Sequence, residues 1–288
     1  MTHVYKTFYL PSLFSYLVSV TYSTTYSLPC GKHQILNLDA DEEGNYIALL
    51  SHGEVWTPTF QVQLPHQFRF PLIRALDKTR FLIIEGRQRI EPNGHIFDYA
   101  GNKLLSFEAG DGVEDVLVQA RQIVVSYFDE GVASDKKPSS DGLAVSDFTG
   151  QQRYGLNSSQ SYFLLDCYAM CKLGRDSILA YTYTKFPLLE LRLNDYRLLE
   201  QPTPADFEGA HALTTSHQNV VFYSSYQDKS SFFWWDRQKK VTRFGHFSAA
   251  PMRGIGSGKF LTYDANSFTI IDAMELMRQE LSSKHKHI

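Results

Sequence analysis

Six short runs along the chain share one pattern of polar and apolar positions. "NYIALL" begins at Asn45, "RFLIIE" at Arg80, "QIVVSY" at Gln122, "SILAYT" at Ser177, "NVVFYS" at Asn219 and "KFLTYD" at Lys259. Each opens on a polar residue and continues into two large apolar ones. Their starts are separated by 35, 42, 55, 42 and 40 residues, close to the period of about 40 to 50 residues that a four-stranded propeller blade occupies. Before each run comes a short apolar strand and a tight polar turn, as in "LDKTR" (Leu76 to Arg80) and "TSHQN" (Thr215 to Asn219). After it come a longer loop and a third strand. One repeat per blade predicts an all-β fold: a β-propeller of six blades, each with three to four antiparallel strands, over residues 1–273.

Several third strands end in an aspartate that enters a turn, at Asp98, Asp147, Asp236 and Asp272. Aspartate at the first position of a turn bonds the backbone two residues on, so these residues are read as structural. The longest interval holds "VASDKKPSSDG", Val132 to Gly142, whose polar composition predicts a mobile surface loop. The last repeat lacks an evident fourth strand. A strand from within Thr7 to Ser23, inside a ring-closing segment 1–30, is expected to complete it and remove an unpaired edge. Residues 274–288 read as a helical or frayed tail.

Composition agrees and narrows the function classes. Aromatic residues make up 14% of the chain and suit half-buried strands. A net charge of −3 with scattered Lys and Arg leaves no electrostatic footprint for nucleic acid. The apolar run Phe8 to Val20 is interrupted by Pro11 and Ser12 and has no small-residue cleavage pattern, which argues against a signal peptide and against a membrane span. Cys30, Cys167 and Cys171 imply no disulfide framework. The expectation is a cytoplasmic monomer. "GIGSGK" (Gly254 to Lys259) imitates a phosphate loop but lacks its spacing and its following helix, and His285 and His287 belong to a terminal tail.

The segment "SFEAGDGVEDVLV…QIVVSYFDEGV", Ser106 to Val132, resembles a signature found in a group of bacterial six-bladed β-propeller proteins of uncharacterised function. The resemblance covers about a tenth of the chain and implies the fold, not an activity.

Candidate chemistry follows from the expected architecture. Innermost strands of a propeller line its channel, and loops on one face gather at the mouth, where binding residues concentrate. Reading back from each run gives one polar residue per inner strand: Arg74, Asp115, His211 and Arg253, with Asn37 and Asp166 as less regular equivalents. Two arginines and a histidine favour an anionic or multiply hydrogen-bonding ligand. Glu85, Tyr127 and Asp264 end second strands on the same face, followed by Asp129 and Glu130, while Asp111 and Glu114 arrive from "AGDGVED". Adjacent carboxylates on a strand diverge, so Asp129 and Glu130 read as a loop anchor with one ligand-facing carboxylate, not an acid pair. The expected function is binding of a small polar molecule or protein segment, with no cofactor. The alternative is a lactone or ester hydrolase dependent on a divalent cation such as Ca2+, held by Asn37, Asp115, Asp166 and Glu85. Arg74 and Arg253 oppose that alternative by repelling the cation.

Overall fold

The computed structural model describes residues 17–20, 22–87, 92–134, 136–160, 162–249 and 251–285. In chain order the strands are β1 (Leu17–Val20), β2 (Ser23–Ser27), β3 (Ile35–Ala40), β4 (Tyr46–Leu50), β5 (Glu54–Trp56), β6 (Gln61–Gln63), β7 (Pro71–Ala75), β8 (Arg80–Glu85), β9 (Gly94–Asp98) and β10 (Lys103–Phe107). There follow β11 (Val113–Gln119), β12 (Gln122–Tyr127), β13 (Leu143–Asp147), β14 (Gln152–Gly155), β15 (Asp166–Leu173), β16 (Ser177–Tyr183), β17 (Leu188–Arg192) and β18 (Leu198–Gln201). The last are β19 (Ala212–Ser216), β20 (Asn219–Tyr223), β21 (Phe232–Trp235), β22 (Val241–Phe244), β23 (Met252–Gly256), β24 (Lys259–Tyr263) and β25 (Ser267–Asp272). Among the described residues the α-helices are α1 (Asp129–Val132), α2 (Leu156–Ser159) and α3 (Ala273–His285). The strands form five sheets of four and one of five, and the fold is a six-bladed β-propeller. All six repeated runs fall on the second strand of a sheet: β4, β8, β12, β16, β20 and β24.

By contacts the chain divides into two compact units. The larger comprises Leu36–Asp39 and Tyr46–Thr203. Its second strands are predominantly apolar because both of their faces are covered. On β8, Phe81 and Ile83 pack with Ile47, Leu49 and Val55 of one neighbouring sheet, whereas Leu82 and Ile84 pack with Val116, Ile123 and Val125 of the other. A strand with one wet face would alternate apolar and polar; burial on two sides gives a near-continuous apolar run, into which only small buried hydroxyls such as those of Ser126 and Thr182 enter. The outermost strands lose that constraint, and β6 reads Gln-Val-Gln with both glutamines exposed.

The smaller unit comprises Met1–Ile35, Ala40–Asn45 and Pro204–Ile288. Its five-stranded sheet runs β1-β2-β25-β24-β23, so an N-terminal strand completes the last repeat. That strand is Ser23–Ser27, which shares only Ser23 with the Thr7 to Ser23 segment expected to supply it. The reason is visible across the pair: Tyr26 lies opposite Phe268 with rings stacked 4.7 Å apart, and the Thr25 and Thr269 hydroxyls meet at 2.9 Å. Within Thr7 to Ser23, β1 adds as a fifth strand outside β2, and residues 7–16 lie outside the described residues. Asp272 caps α3 by accepting the Glu275 N–H at 2.8 Å, and Leu276 packs with Phe232 and Phe260.

The turn aspartates are structural. The Oδ1 atom of Asp98 accepts the N–H groups of Ala100 and Asn102, each at 2.9 Å, and those of Asp147 and Asp236 accept the N–H groups of Thr149 and Gln238 at 2.8 Å. Within the segment Val132 to Gly142, Lys136 and Lys137 are exposed, whereas its later part is anchored to the protein. Ser139 and Asp141 are buried because both find partners: the Ser139 Oγ accepts the Asp111 N–H at 2.8 Å, and Asp141 accepts from the Gln152 side chain at 2.6 Å and the Ser158 N–H at 3.1 Å.

The signature segment owes its glycines to a close approach. Gly112 has φ of +67°, and a Cβ built on Gly131 would sit 2.5 Å from the Asp111 carbonyl oxygen and 3.1 Å from Gly112 Cα. Phe128 N–H donates to the Gly112 carbonyl at 3.0 Å across the same contact. Gly131→Ala is expected to force the two loops apart and lower stability by about 1 to 3 kcal/mol, measured as the denaturation midpoint of the full chain.

Candidate functional site

Arg74, on β7, is buried and its donors are taken by the protein. Its Nε donates to the Val116 carbonyl at 2.6 Å, and its terminal nitrogens reach the Ile73 carbonyl at 2.7 Å, Asn37 Oδ1 at 3.2 Å and Asp115 Oδ1 at 2.5 Å. Asn37 also accepts the Ile73 N–H at 2.9 Å, and Asp115 the Val116 N–H at 2.7 Å. Arg74 and Asp115, read as ligand contacts, and Asn37, read as a less regular inner-strand equivalent, therefore tie inner strands β3, β7 and β11 together. A planar guanidinium with fixed donors suits this role better than a lysine point charge, and its positive charge is matched by Asp115 instead of being offered outward.

The carboxylates around the β11 and β15 starts remain. Glu114 is open to solvent by surface area, yet protein crowds it at slightly longer range, so a water molecule reaches it but bulk solvation does not. That desolvation, followed by the charges of Asp115 and Asp166, pushes its carboxyl up to about 7, with Arg87 pulling the other way. Asp166 is raised to about 6, first by burial and then by Asp129. Asp129 and Glu130 stand not on a strand but in the first turn of α1. They diverge there as well: Asp129 bears on Asp166, while Glu130 pairs with Arg87.

Glu85 ends β8 with both carboxylate oxygens occupied by backbone N–H groups, those of Arg69 at 2.8 Å and Phe70 at 2.6 Å. Asp264 likewise accepts the N–H groups of Asn266 at 2.9 Å and Ser267 at 2.7 Å. The Tyr127 hydroxyl is buried and donates to the Ala109 carbonyl at 2.7 Å. Of the oxygen set expected to hold a cation, Asn37, Asp115 and Glu85 thus already serve as acceptors for protein donors. Among the described residues no group of three or more His, Cys, Asp or Glu is arranged to hold a metal ion. His211 and Arg253 lie in the smaller unit. His211 donates its N–H to the Tyr223 carbonyl at 3.1 Å, and burial, then Lys229, lowers its pKa. Arg253, on β23, is half-buried opposite Leu261.

A feature that the repeat pattern does not reveal lies within the larger unit. The loop before β7 and the ends of β8, β9 and β10 enclose a cavity of about 490 Å3, whose lining includes His66, Phe68, Arg69, Arg87, His95 and Lys103. Backbone bonds hold these loops in place: Gly86 N–H donates to the Phe70 carbonyl at 2.8 Å, and Val113 N–H to the Gly86 carbonyl at 3.0 Å. Asn93, buried beneath, donates to the Glu85 and Gly110 carbonyls at 2.8 and 2.7 Å and accepts the Ala109 N–H at 2.9 Å. Lys103 Nζ donates to His66 Nε2 at 3.1 Å, and His95 Nδ1 lies 2.9 Å from the Ser106 hydroxyl. Burial, then Lys103 and His66, lowers the His95 pKa to about 4, so the ring is neutral near pH 7. Arg87 lies 4.1 Å over the Phe128 ring and Arg69 5.0 Å over Phe70. The sequence signal for this site is "HQFRF", His66 to Phe70, in which aromatic rings alternate with polar and basic side chains.

No protein-family model and no curated protein matches the chain. Solved structures resemble it in fold. A streptogramin B lyase superposes with a TM-score of 0.50 at 7% identity, over 86% of this chain and 97% of its own. Hsv2 of Kluyvelomyces marxianus gives 0.51 at 13% identity, over 81% of this chain and 74% of its own. The extracellular domain of the two-component system BT4673 from B. thetaiotaomicron gives 0.52 at 11%, over 85% of this chain, which spans 32% of that one. At such identities the likeness is one of architecture and carries no activity across.

Two expected outcomes follow from the carboxylates and Arg74. Arg74→Ala leaves Asp115 and two carbonyls without their donor, and is expected to cost about 3 to 5 kcal/mol of unfolding free energy in urea. Because Glu114 holds its proton longer in the folded chain than at its ordinary 4.5, the stability it contributes is complete below that value and is lost as pH rises through about 7. Glu114→Gln should therefore melt above the parent at about pH 8, with the gain fading towards pH 4.5.

Proposed function

We propose that this propeller is a binding protein whose ligand is an anion held in the cavity lined by the loop before β7 and the ends of β8, β9 and β10. The observation that carries this reading is the convergence of Arg69, Arg87 and Lys103 on one cavity of about 490 Å3, in a chain whose net charge is −3. Cations gathered locally against the overall sign of a protein mark a place where negative charge is wanted. The volume falls in the range of small-molecule sites, roughly 300 to 1,000 Å3. Relative to the expected mouth of inner-strand residues, the binding role is retained and the arginine assignment moves, since Arg74 is matched by Asp115 at 2.5 Å.

Two finer readings accompany this one. The signature around Gly112 and Gly131 supports grouping the chain with the bacterial propellers that carry it. Cys30, Cys167 and Cys171 are buried free thiols, which fits a reducing cytoplasm. No chemistry is required of the ligand, and the protein acts as a monomer.

The test is a melting-temperature screen of the full chain against organic anions and their neutral analogues. Anions are expected to raise the midpoint by mass action and neutral analogues are not. Arg69→Ala combined with Lys103→Ala, both at exposed positions, is expected to remove the response without lowering the ligand-free midpoint. A response that survives in the double variant would refute the cavity as the anion site.

A further inference from the structure

Beyond the anion cavity, we infer that the ends of β15 and β16 form a second binding site, which takes a small organic ammonium ion against the Tyr168 and Tyr183 rings and the Asp166 carboxylate. Tyr183, the last residue of β16, is 38% exposed although its ring is a large apolar body. That ring lies 6.3 Å from the ring of Tyr168 and within 13° of parallel to it. Phe186, which is buried, meets both edge-on, at 5.3 Å and 72° for Tyr168 and at 5.7 Å and 68° for Tyr183. Tyr168 owes its place to a register shift in β15: Cys167 pairs with Thr182 and Ala169 with Tyr181, which leaves Tyr168 without an opposite residue. A bulge of this kind re-aims a side chain. The segment leading into β15 exposes a further ring, that of Phe163 at 71%. Single apolar side chains at a surface are ordinary, whereas grouped ones mark a place of contact.

The charge beside these rings says what they contact. Asp166 lies opposite Tyr183 across β15 and β16, so the two side chains leave the same face as direct neighbours, with Cβ atoms about 4.5 to 5.5 Å apart. Asp129 of α1 bears on Asp166, and Asp166 bears in turn on Glu114 of β11, where Asp115 adds a further like charge. Arg87 acts on Glu114 but is paired with Glu130. Lys185, in the loop after Tyr183, is exposed and is not among the charges that act on Asp166. Asp135 lies outside the described residues. Burial, and then these like charges, raise Asp166 to about 6 and Glu114 to about 7. A cation brought to this place relieves the repulsion, and the rings select which cation. Calcium calls for about six to eight oxygen ligands, whereas the negative face of an aromatic ring attracts a weakly hydrated organic cation, a quaternary ammonium above all.

The experiment titrates the full chain by calorimetry, at constant ionic strength, with choline and with dimethylbutanol, in which carbon replaces the ammonium nitrogen. Choline is expected to bind more tightly by about tenfold or more, the size of a partly desolvated contact between a cation and a ring. Tyr183→Leu and Asp166→Asn should each weaken choline by about tenfold, while Tyr183→Phe, which keeps the ring, should bind it as the parent does. Because the charge of choline is fixed, any dependence on pH comes from the protein. Affinity should rise between about pH 5 and about pH 8 as Asp166 and Glu114 give up their protons, and Asp166→Asn combined with Glu114→Gln should flatten that rise. Arg69→Ala combined with Lys103→Ala should leave choline binding unchanged, so this site and the anion cavity stand or fall separately. Melting curves verify the fold of each variant. Equal binding of choline and dimethylbutanol, or choline affinity unchanged in both Tyr183→Leu and Asp166→Asn, would overturn the inference. So would a response to calcium chloride in place of choline, or capture of a trimethyllysine peptide without capture of choline.

Discussion

Burial of the second strand on both faces is the constraint from which most of this architecture follows. When Phe81 and Ile83 of one strand go to one cluster while Leu82 and Ile84 go to another, that strand cannot slip by a single residue without exchanging the contents of two interfaces. Register is thereby doubly specified. Packing between adjacent sheets then fixes where the ends of the inner strands lie, and those ends place Arg74, Asp115 and Asn37 within bonding distance. The polar network depends on the apolar one: hydrogen bonds with lengths near 2.6 Å form only where rigid scaffolding brings residues 42 positions apart in sequence to the same spot.

This dependence also accounts for what was legible in the chain beforehand. The second strands announced themselves because two-sided burial keeps them apolar over most of their length, and the turn aspartates did so because their bonds are local. Outer strands such as Gln61–Gln63 carry little pattern, since one of their edges and much of their surface are wet. Arg74 was visible as a polar residue on an inner strand, but not as the partner of Asp115, because strand-end stagger between neighbouring sheets is not written in either segment alone. The cavity was harder still. Its walls come from the loop at His66–Phe70, the end of β8 and the paired strands β9 and β10, and no single stretch contains the constellation.

Glu114 and Arg69 illustrate two settings of an ionisable group at a protein surface. Glu114 is reached by water yet surrounded by neighbours of its own sign and by protein that displaces bulk solvent, so its proton is retained. Arg69 lies on the rim of its cavity with an aromatic face beneath it, an arrangement that leaves the guanidinium weakly hydrated on one side. Arg87 stands between these two settings, since it acts on Glu114, pairs with Glu130 and borders the cavity. The acidic neighbourhood at the start of β11 and the basic lining of the cavity are therefore parts of one local electrostatic field.

The pairing of β2 with β25 has a temporal side. Thr25 waits for Thr269, 244 residues later, and at ribosomal speeds of about 5 to 20 residues per second the delay is on the order of 10 to 50 s. Throughout that interval the nascent chain carries a hydrogen-bonding ribbon with no mate. Such a molecule relies on the slow arrival of its last repeat to retire a sticky edge, and its dependence on chaperones during synthesis would be concentrated at that one strand.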